Sequence, residues 1–221
     1  DETQDIFKLD KPIKVIHNFF DSSRFLPGAE QSCCKRKNFA ADDEFIIAHI
    51  SNFRPVKRTI DVIEIFEKIS EKLPAKLLLI GEGPETILAR RQVNKKGLAG
   101  RVTFLGNQSR VEAILPFCDL FLLPSEEESF GLAALEALAC GVPVIGTLKT
   151  GLVEVVEPNV NGFLFPIGHT TEMAEAGIEL LMDKNKLKIF KGNAHTIAKE
   201  RFDKDKIVKQ YEDYYQEILH G

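Results

Sequence analysis

Residues 122–144 read LLPSEEESFGLAALEALACGVPV, and few folds accept that order of pieces. An apolar segment (residues 119–124) runs into three carboxylates and then Ser129-Phe130-Gly131. A helix rich in Ala and Leu follows, carrying Glu136, and Gly141 leads directly into a second apolar segment at residues 142–146. Two apolar strands separated by one helix must lie parallel, with the helix crossing one face of the sheet. The loop and the glycine before the helix leave unpaired backbone N–H groups and a positive dipole end above the sheet. Glu128 stands before that end and Glu136 lies inside the helix. Amides suit a phosphate, and carboxylates suit sugar hydroxyls.

The rest of the chain repeats the alternation. Apolar strands are expected at residues 44–51, 76–80 and 102–105, with a small last strand at 162–165. Helices are expected at 58–73, 84–96, 171–183, 186–201 and 204–219, and a short one at 111–117. A further strand is expected at residues 14–16. In the helix at 58–73, Ile60, Ile63, Phe66, Ile69 and Leu73 recur at helical spacing. Short connections beginning with Gly or Pro complete the pattern of an α/β, doubly wound parallel sheet. Such a sheet binds ligands outside the carboxyl ends of its strands.

Bulk properties narrow the function. The 221 residues are 44% hydrophobic, enough for one large domain. Lys and Arg total 29 against 33 Asp and Glu, a net charge of −4 that gives no support for nucleic-acid or membrane-surface binding. No apolar run reaches the roughly 18–20 residues of a membrane span. The polar start reads as a linker over residues 1–13, not as a signal peptide. Cys33, Cys34, Cys118 and Cys140 show no metal-ligand spacing, so reduced thiols of a cytoplasmic protein are expected. All five histidines are expected to be structural.

Every candidate site residue follows a strand. Glu136 lies among Ala133, Ala134, Leu135, Ala137, Leu138 and Ala139, so it should be largely buried and in need of hydrogen-bond donors. The competing reading makes residues 126–128 a solvated acidic loop and Glu136 an ordinary surface residue. Asn52, Arg54, Lys57 and Arg58 form a basic loop suited to a diphosphate. Gly81-Glu82-Gly83-Pro84 begins like a dinucleotide fingerprint, but Thr86 occupies the third glycine position. The better reading is a glycine turn that lets a nucleotide approach. Arg110 and Val111 follow the next strand, where a plain connecting loop competes. Asp203-Lys204-Asp205 imitates a metal motif but fits a helix cap.

The Glu128-x7-Glu136 pattern and its strand–loop–helix–strand setting resemble the retaining family-4 glycosyltransferases of the GT-B fold. The resemblance covers about residues 14–219. Residues 49–58, 75–81 and 124–131 are most similar to the branch that makes N-acetylglucosaminyl L-malate for bacillithiol. It implies a UDP-N-acetylglucosamine donor and an L-malate acceptor, with retention, no metal and no cofactor. Glu128, Lys57 and Arg54 would serve the reaction centre. Asn52, Gly81, Arg110, Val111, Ser129, Phe130, Gly131, Leu132 and Glu136 would hold the donor, Glu136 at the ribose and Arg110 and Val111 at uracil. The family usually carries Arg five residues before the lysine, where this chain has Asn52, so Arg54 is the expected substitute. Gly151 and Glu154 match the family's closing loop, and Thr150 departs from it.

The resemblance also implies an acceptor domain before this chain. Residues 14–202 would form the donor domain, and residues 203–221 a helix crossing to the other half. That leaves Tyr211, Tyr214, Tyr215 and Ile218 exposed, or covered in a homodimer. Another acceptor, or a non-catalytic nucleotide-sugar module, remains the alternative. An oxidoreductase is disfavoured by the incomplete glycine motif.

Overall fold

A computed structural model describes residues 13–28, 36–148 and 150–220. The expected linker at 1–13 lies almost wholly outside the described residues, as do Cys33, Cys34 and Lys149.

Six parallel strands form one sheet: β1 (Phe45–Ile50), β2 (Ala75–Ile80), β3 (Val102–Gly106), β4 (Leu120–Leu123), β5 (Val144–Thr147) and β6 (Gly162–Phe165). Their order is β3-β2-β1-β4-β5-β6. Helices α1 (Thr59–Ser70), α2 (Thr86–Lys95), α3 (Leu132–Ala139), α4 (Thr170–Met182), α5 (Lys184–Phe202) and α6 (Lys204–His220) complete the chain. This is the doubly wound sheet expected, and its order reverses direction between β1 and β4.

The strands are apolar throughout because both faces are covered. Ile46, Ala48, Leu78, Ile80, Phe121 and Leu123 face Ala134, Leu135 and Leu138 of α3 and Ala194, Ala198 and Phe202 of α5. The alternate residues Ile47, Leu77, Leu79, Leu120, Leu122 and Ile145 face α1, α2 and α4. Helix α3 stops in a Schellman arrangement: Gly141 has φ +74°, its N–H bonds the Leu138 carbonyl, and the Val142 N–H bonds that of Ala137.

Two expectations need correction. Residues 14–16 form no strand: Val15 is well exposed, and Lys14 pairs with Glu217 at 2.9 Å on α6. The segment is held instead by His17, which pairs with Glu154, and by Phe20, whose backbone bridges Asp203. Residues 111–117 form two 3-10 turns, Val111–Ala113 and Leu115–Phe117, instead of one helix. Pro116 removes the N–H that a continuous helix would use and disfavours helical geometry at Leu115.

The Asp203 carboxylate accepts the Asp205 N–H at 2.9 Å, which makes it a cap. Tyr211, Tyr215 and Ile218 are exposed on α6, whereas Tyr214 is half-buried, with Lys14 Nζ 4.7 Å above its ring. No helix among the described residues is long and apolar enough to cross a membrane.

The glycines after β2 hold two loops together. A Cβ on Gly81 would lie 1.9 Å from the Ser51 carbonyl oxygen, and one on Gly83 would lie 1.7 Å from that of Asn52. Backbone bonds from Ser51 to Ile80 and from Glu85 to Phe53 fix the same approach. Gly83→Ala therefore pushes backbone against backbone and should cost about 3 kcal/mol. Urea unfolding checks this, and an unchanged midpoint would show that the two loops part freely.

Candidate functional site

The loops after β1 and β4 meet above the point where the strand order reverses. Lys57 Nζ lies 2.7 Å from Glu128 Oε1, and both side chains are mostly buried. Arg58 braces the same junction, pairing with Asp61 at 2.7 Å and with Glu126 at 2.5 Å. The Glu126 N–H bonds the Val56 carbonyl at 2.8 Å, so backbone as well as side chains joins the loops. Two residues of this loop, Phe53 (φ +40°) and Arg58 (φ +50°), occupy left-handed backbone that bulky side chains rarely adopt. Such strain is tolerated where neighbours over-determine the conformation.

His49 does part of that determining. It is fully buried; its Nδ1–H donates to the Leu122 carbonyl, and its Nε2 accepts from the Ser51 hydroxyl at 2.8 Å. Its ring stacks on Phe53 at 6.0 Å, and the Ser51 oxygen also accepts the Phe53 N–H. Burial, with help from nearby Lys57, lowers its pKa to about 4, so it stays neutral. His49 is structural, as expected.

Glu128 is held from several sides. Ser125 Oγ donates to the same Oε1 at 2.9 Å, and the Gly151 N–H donates to the Glu128 carbonyl at 2.6 Å. A Cβ on Gly151 would sit 2.4 Å from the Ser129 carbonyl, so glycine is required there. Leu152 is fully buried against Gly131 and Gly146, where a Cβ would come within 2.5 Å of its methyl groups. The loop after β5 thus clamps the loop after β4. Helix α3 begins at Gly131 (φ +90°) with no side-chain cap, leaving its first amides for another acceptor. Phe130 is buried, edge-on to Phe202 at 5.6 Å and 6.1 Å from the His17 ring. His17 Nδ1 in turn pairs with Glu154 at 2.9 Å. Ser129 and Leu132 are exposed.

Glu136 is half-buried, and its carboxylate makes no hydrogen bond with any described residue. Burial pushes its pKa up to about 7, with Arg24 opposing and Glu112 reinforcing the rise. Arg24 pairs with Glu112 Oε1 at 3.0 Å, while Glu112 Oε2 is buried with no hydrogen-bond partner among the described residues. Arg110, mostly exposed, reaches within 3.8 Å of Glu112, and Val111 packs against the core. Asn52 and Arg54 are exposed, and Arg54 forms no ion pair among the described residues. Gly81 is used for loop packing, as above. Among the described residues no three His, Cys, Asp or Glu side chains gather as metal ligands.

Lys57, Glu128, the start of α3 and Glu136 therefore belong to one end of the sheet, with Arg110 and Val111 on the neighbouring loop after β3. The sequence reading missed Ser125, Thr147 and Leu152. A serine directly after a strand and a threonine ending the next strand were the available signals.

Glu136 carries a stability cost. A carboxyl whose folded pKa lies above its unfolded value stabilises the protein while protonated, and that contribution is lost as pH rises from about 4.5 to about 7. Glu136→Gln should therefore raise unfolding stability by about 2 kcal/mol at pH 8 and hardly at all at pH 4. Denaturant unfolding at the two pH values checks it. A pH-independent gain would mean that Glu136 is not buried at this cost.

Residues 33–196 match the family described as glycosyl transferases group 1. The chain is 41% identical over 218 residues to N-acetyl-alpha-D-glucosaminyl L-malate synthase of Bacillus anthracis, covering 99% of this chain and 57% of that protein. It is 33% identical over 181 residues to D-inositol 3-phosphate glycosyltransferase of Mycobacteroides abscessus, covering 78% of this chain and 40% of that one. The structure of Anabaena HepE in complex with UDP and glucose superposes with a TM-score of 0.84 and 29% identity, over 92% of this chain and 56% of HepE. The chain thus spans between 40% and 57% of the length of these relatives. By fold, sheet order and family match, it belongs to the group 1 glycosyl transferases.

Proposed function

We propose that this chain is the donor-binding half of a retaining glycosyltransferase. The full protein would move N-acetylglucosamine from its UDP donor to L-malate. The carrying observation is the meeting of Lys57 and Glu128 over the β1/β4 switch point, beside the uncapped start of α3. HepE, at 29% identity, was solved with UDP and glucose, which supports a nucleotide-sugar here. The likeness to the malate synthase of B. anthracis supports the acceptor.

Each residue then has a physical task. Lys57 and Arg54 supply positive charge to the leaving diphosphate, and the amides of Phe130, Gly131 and Leu132 add the α3 dipole. Those charges do the work that a metal does elsewhere, so binding is expected without one. Glu128 accepts hydrogen bonds from sugar hydroxyls, and Glu136 accepts them from the ribose. Ionised Glu136 gains the donors it lacks, each bond to a charged group being worth about 1.5–3 kcal/mol. Arg110 and Val111 border the base, and Asn52 and Ser129 line the approach. Malate would be held by the other half, whose closure aligns its hydroxyl with the anomeric carbon and excludes water.

Titration calorimetry on this chain tests the donor site. UDP should bind equally with and without chelator. Glu136→Ala should weaken UDP and UDP-N-acetylglucosamine together by about tenfold or more. Glu128→Ala should weaken only the sugar nucleotide. Strict metal dependence, or equal losses for both ligands in both variants, would contradict the assignment. In the full protein, UDP release that responds to D-inositol 3-phosphate and not to L-malate would favour the other acceptor.

A further inference from the structure

We propose that Ser125, locked by Thr147, is a positioning residue that decides which oxygen of Glu128 meets the donor sugar. The inference rests on the donor-site reading above and adds a residue pair to it.

Ser125 is fully buried directly after β4, and its hydroxyl donates to Glu128 Oε1 at 2.9 Å. Lys57 Nζ reaches that same oxygen at 2.7 Å. Two protein donors therefore occupy Oε1, while Oε2 has no protein donor among the described residues. A carboxylate with one oxygen filled and one open has a fixed rotamer and a single direction for accepting a hydroxyl. When the diphosphate arrives, it competes for the Lys57 ammonium. Ser125 is neutral and buried, so a phosphate has no claim on it. It becomes the donor that keeps Glu128 oriented while Lys57 is shared with the leaving group.

The serine is itself held. Thr147, also fully buried, ends β5 and donates its hydroxyl to the Ser125 carbonyl. The Gly151 N–H holds the Glu128 carbonyl from the following loop. The strand β5 beside β4 thereby fixes both ends of the Ser125–Glu128 step. Neither hydroxyl is needed for burial, since an apolar residue of similar size would fill either place. Each hydroxyl has one use visible here: it orients the segment that carries Glu128.

The test compares two ligands on one protein, because general loosening of the site weakens both whereas misdirection of Glu128 weakens one. The ratio of UDP-N-acetylglucosamine affinity to UDP affinity is measured for the unsubstituted chain, Ser125→Ala, Thr147→Val and Thr147→Ser. Ser125→Ala should lower the ratio about tenfold, the scale of one hydrogen bond to a charged acceptor, with UDP affinity nearly unchanged. Thr147→Val should lower it in the same sense by less, and Thr147→Ser should restore it. If both ligands weaken equally, or the ratio stays constant in Ser125→Ala and Thr147→Val, Ser125 does not orient Glu128 and the inference fails alone. If the unsubstituted chain binds UDP at no concentration up to millimolar, the donor-site reading fails and this inference with it.

Discussion

The ion pair between Lys57 and Glu128 is the contact on which the rest of this site depends. It joins the loops after two neighbouring parallel strands, β1 and β4, from which the chain proceeds in opposite directions across the sheet. At that switch point the connections diverge and leave a crevice, so charged side chains gather without being covered by a crossing helix. The pair has a cost in desolvation that its Coulomb attraction recovers only with good geometry and further bonds. Ser125, Arg58 and the Glu126 N–H to Val56 bond supply those bonds. Left-handed backbone at Phe53 and Arg58 belongs to the same bargain: His49, neutral and buried, fixes the strained loop so that Lys57 points inward.

Glu136 shows how the fold carries a carboxylate at a cost in stability. Its helix is buried because Ala134, Leu135, Ala137 and Leu138 pack on the sheet, and it draws the carboxylate partly out of water with them. No described residue donates to it, and Glu112 nearby adds repulsion that Arg24 only partly offsets. A carboxylate held in that condition gains more from ligand hydroxyls than a solvated one would. Stability is given up so that binding energy appears where the nucleotide is proposed to lie.

Much of this could be read from the residues. Near-continuous apolar strands, the Ile60/Ile63/Phe66/Ile69 spacing and the Gly or Pro after most strands pointed to the doubly wound sheet, because burial on both faces leaves little freedom of pattern. Glu136 stood out as a charge in an alanine helix. The packing of Gly81 and Gly83 on the loop after β1 was not legible: a glycine-rich turn gives no sign of which neighbour its backbone approaches, and only the position of Ser51 and Asn52 shows it. Residues 14–16 have strand composition but lie against α6, with Lys14 paired to Glu217, and join no strand. The Ser125–Thr147 lock joins positions that are far apart in sequence and adjacent only through β4 and β5 pairing, so no local pattern announces it.

The central claim is that the nucleotide binds at the carboxyl end of the sheet, around the β1/β4 crevice and the start of α3. Amide chemical-shift mapping of the 15N-labelled chain during titration with UDP tests it most directly. The account predicts that shifts gather at Lys57, Arg110, Val111, Phe130, Gly131, Leu132 and Glu136, and leave the opposite end near Cys118, Gly141 and His195 unmoved. Shifts confined to that opposite end, or saturable binding that leaves Gly131 and Glu136 unperturbed, would contradict it.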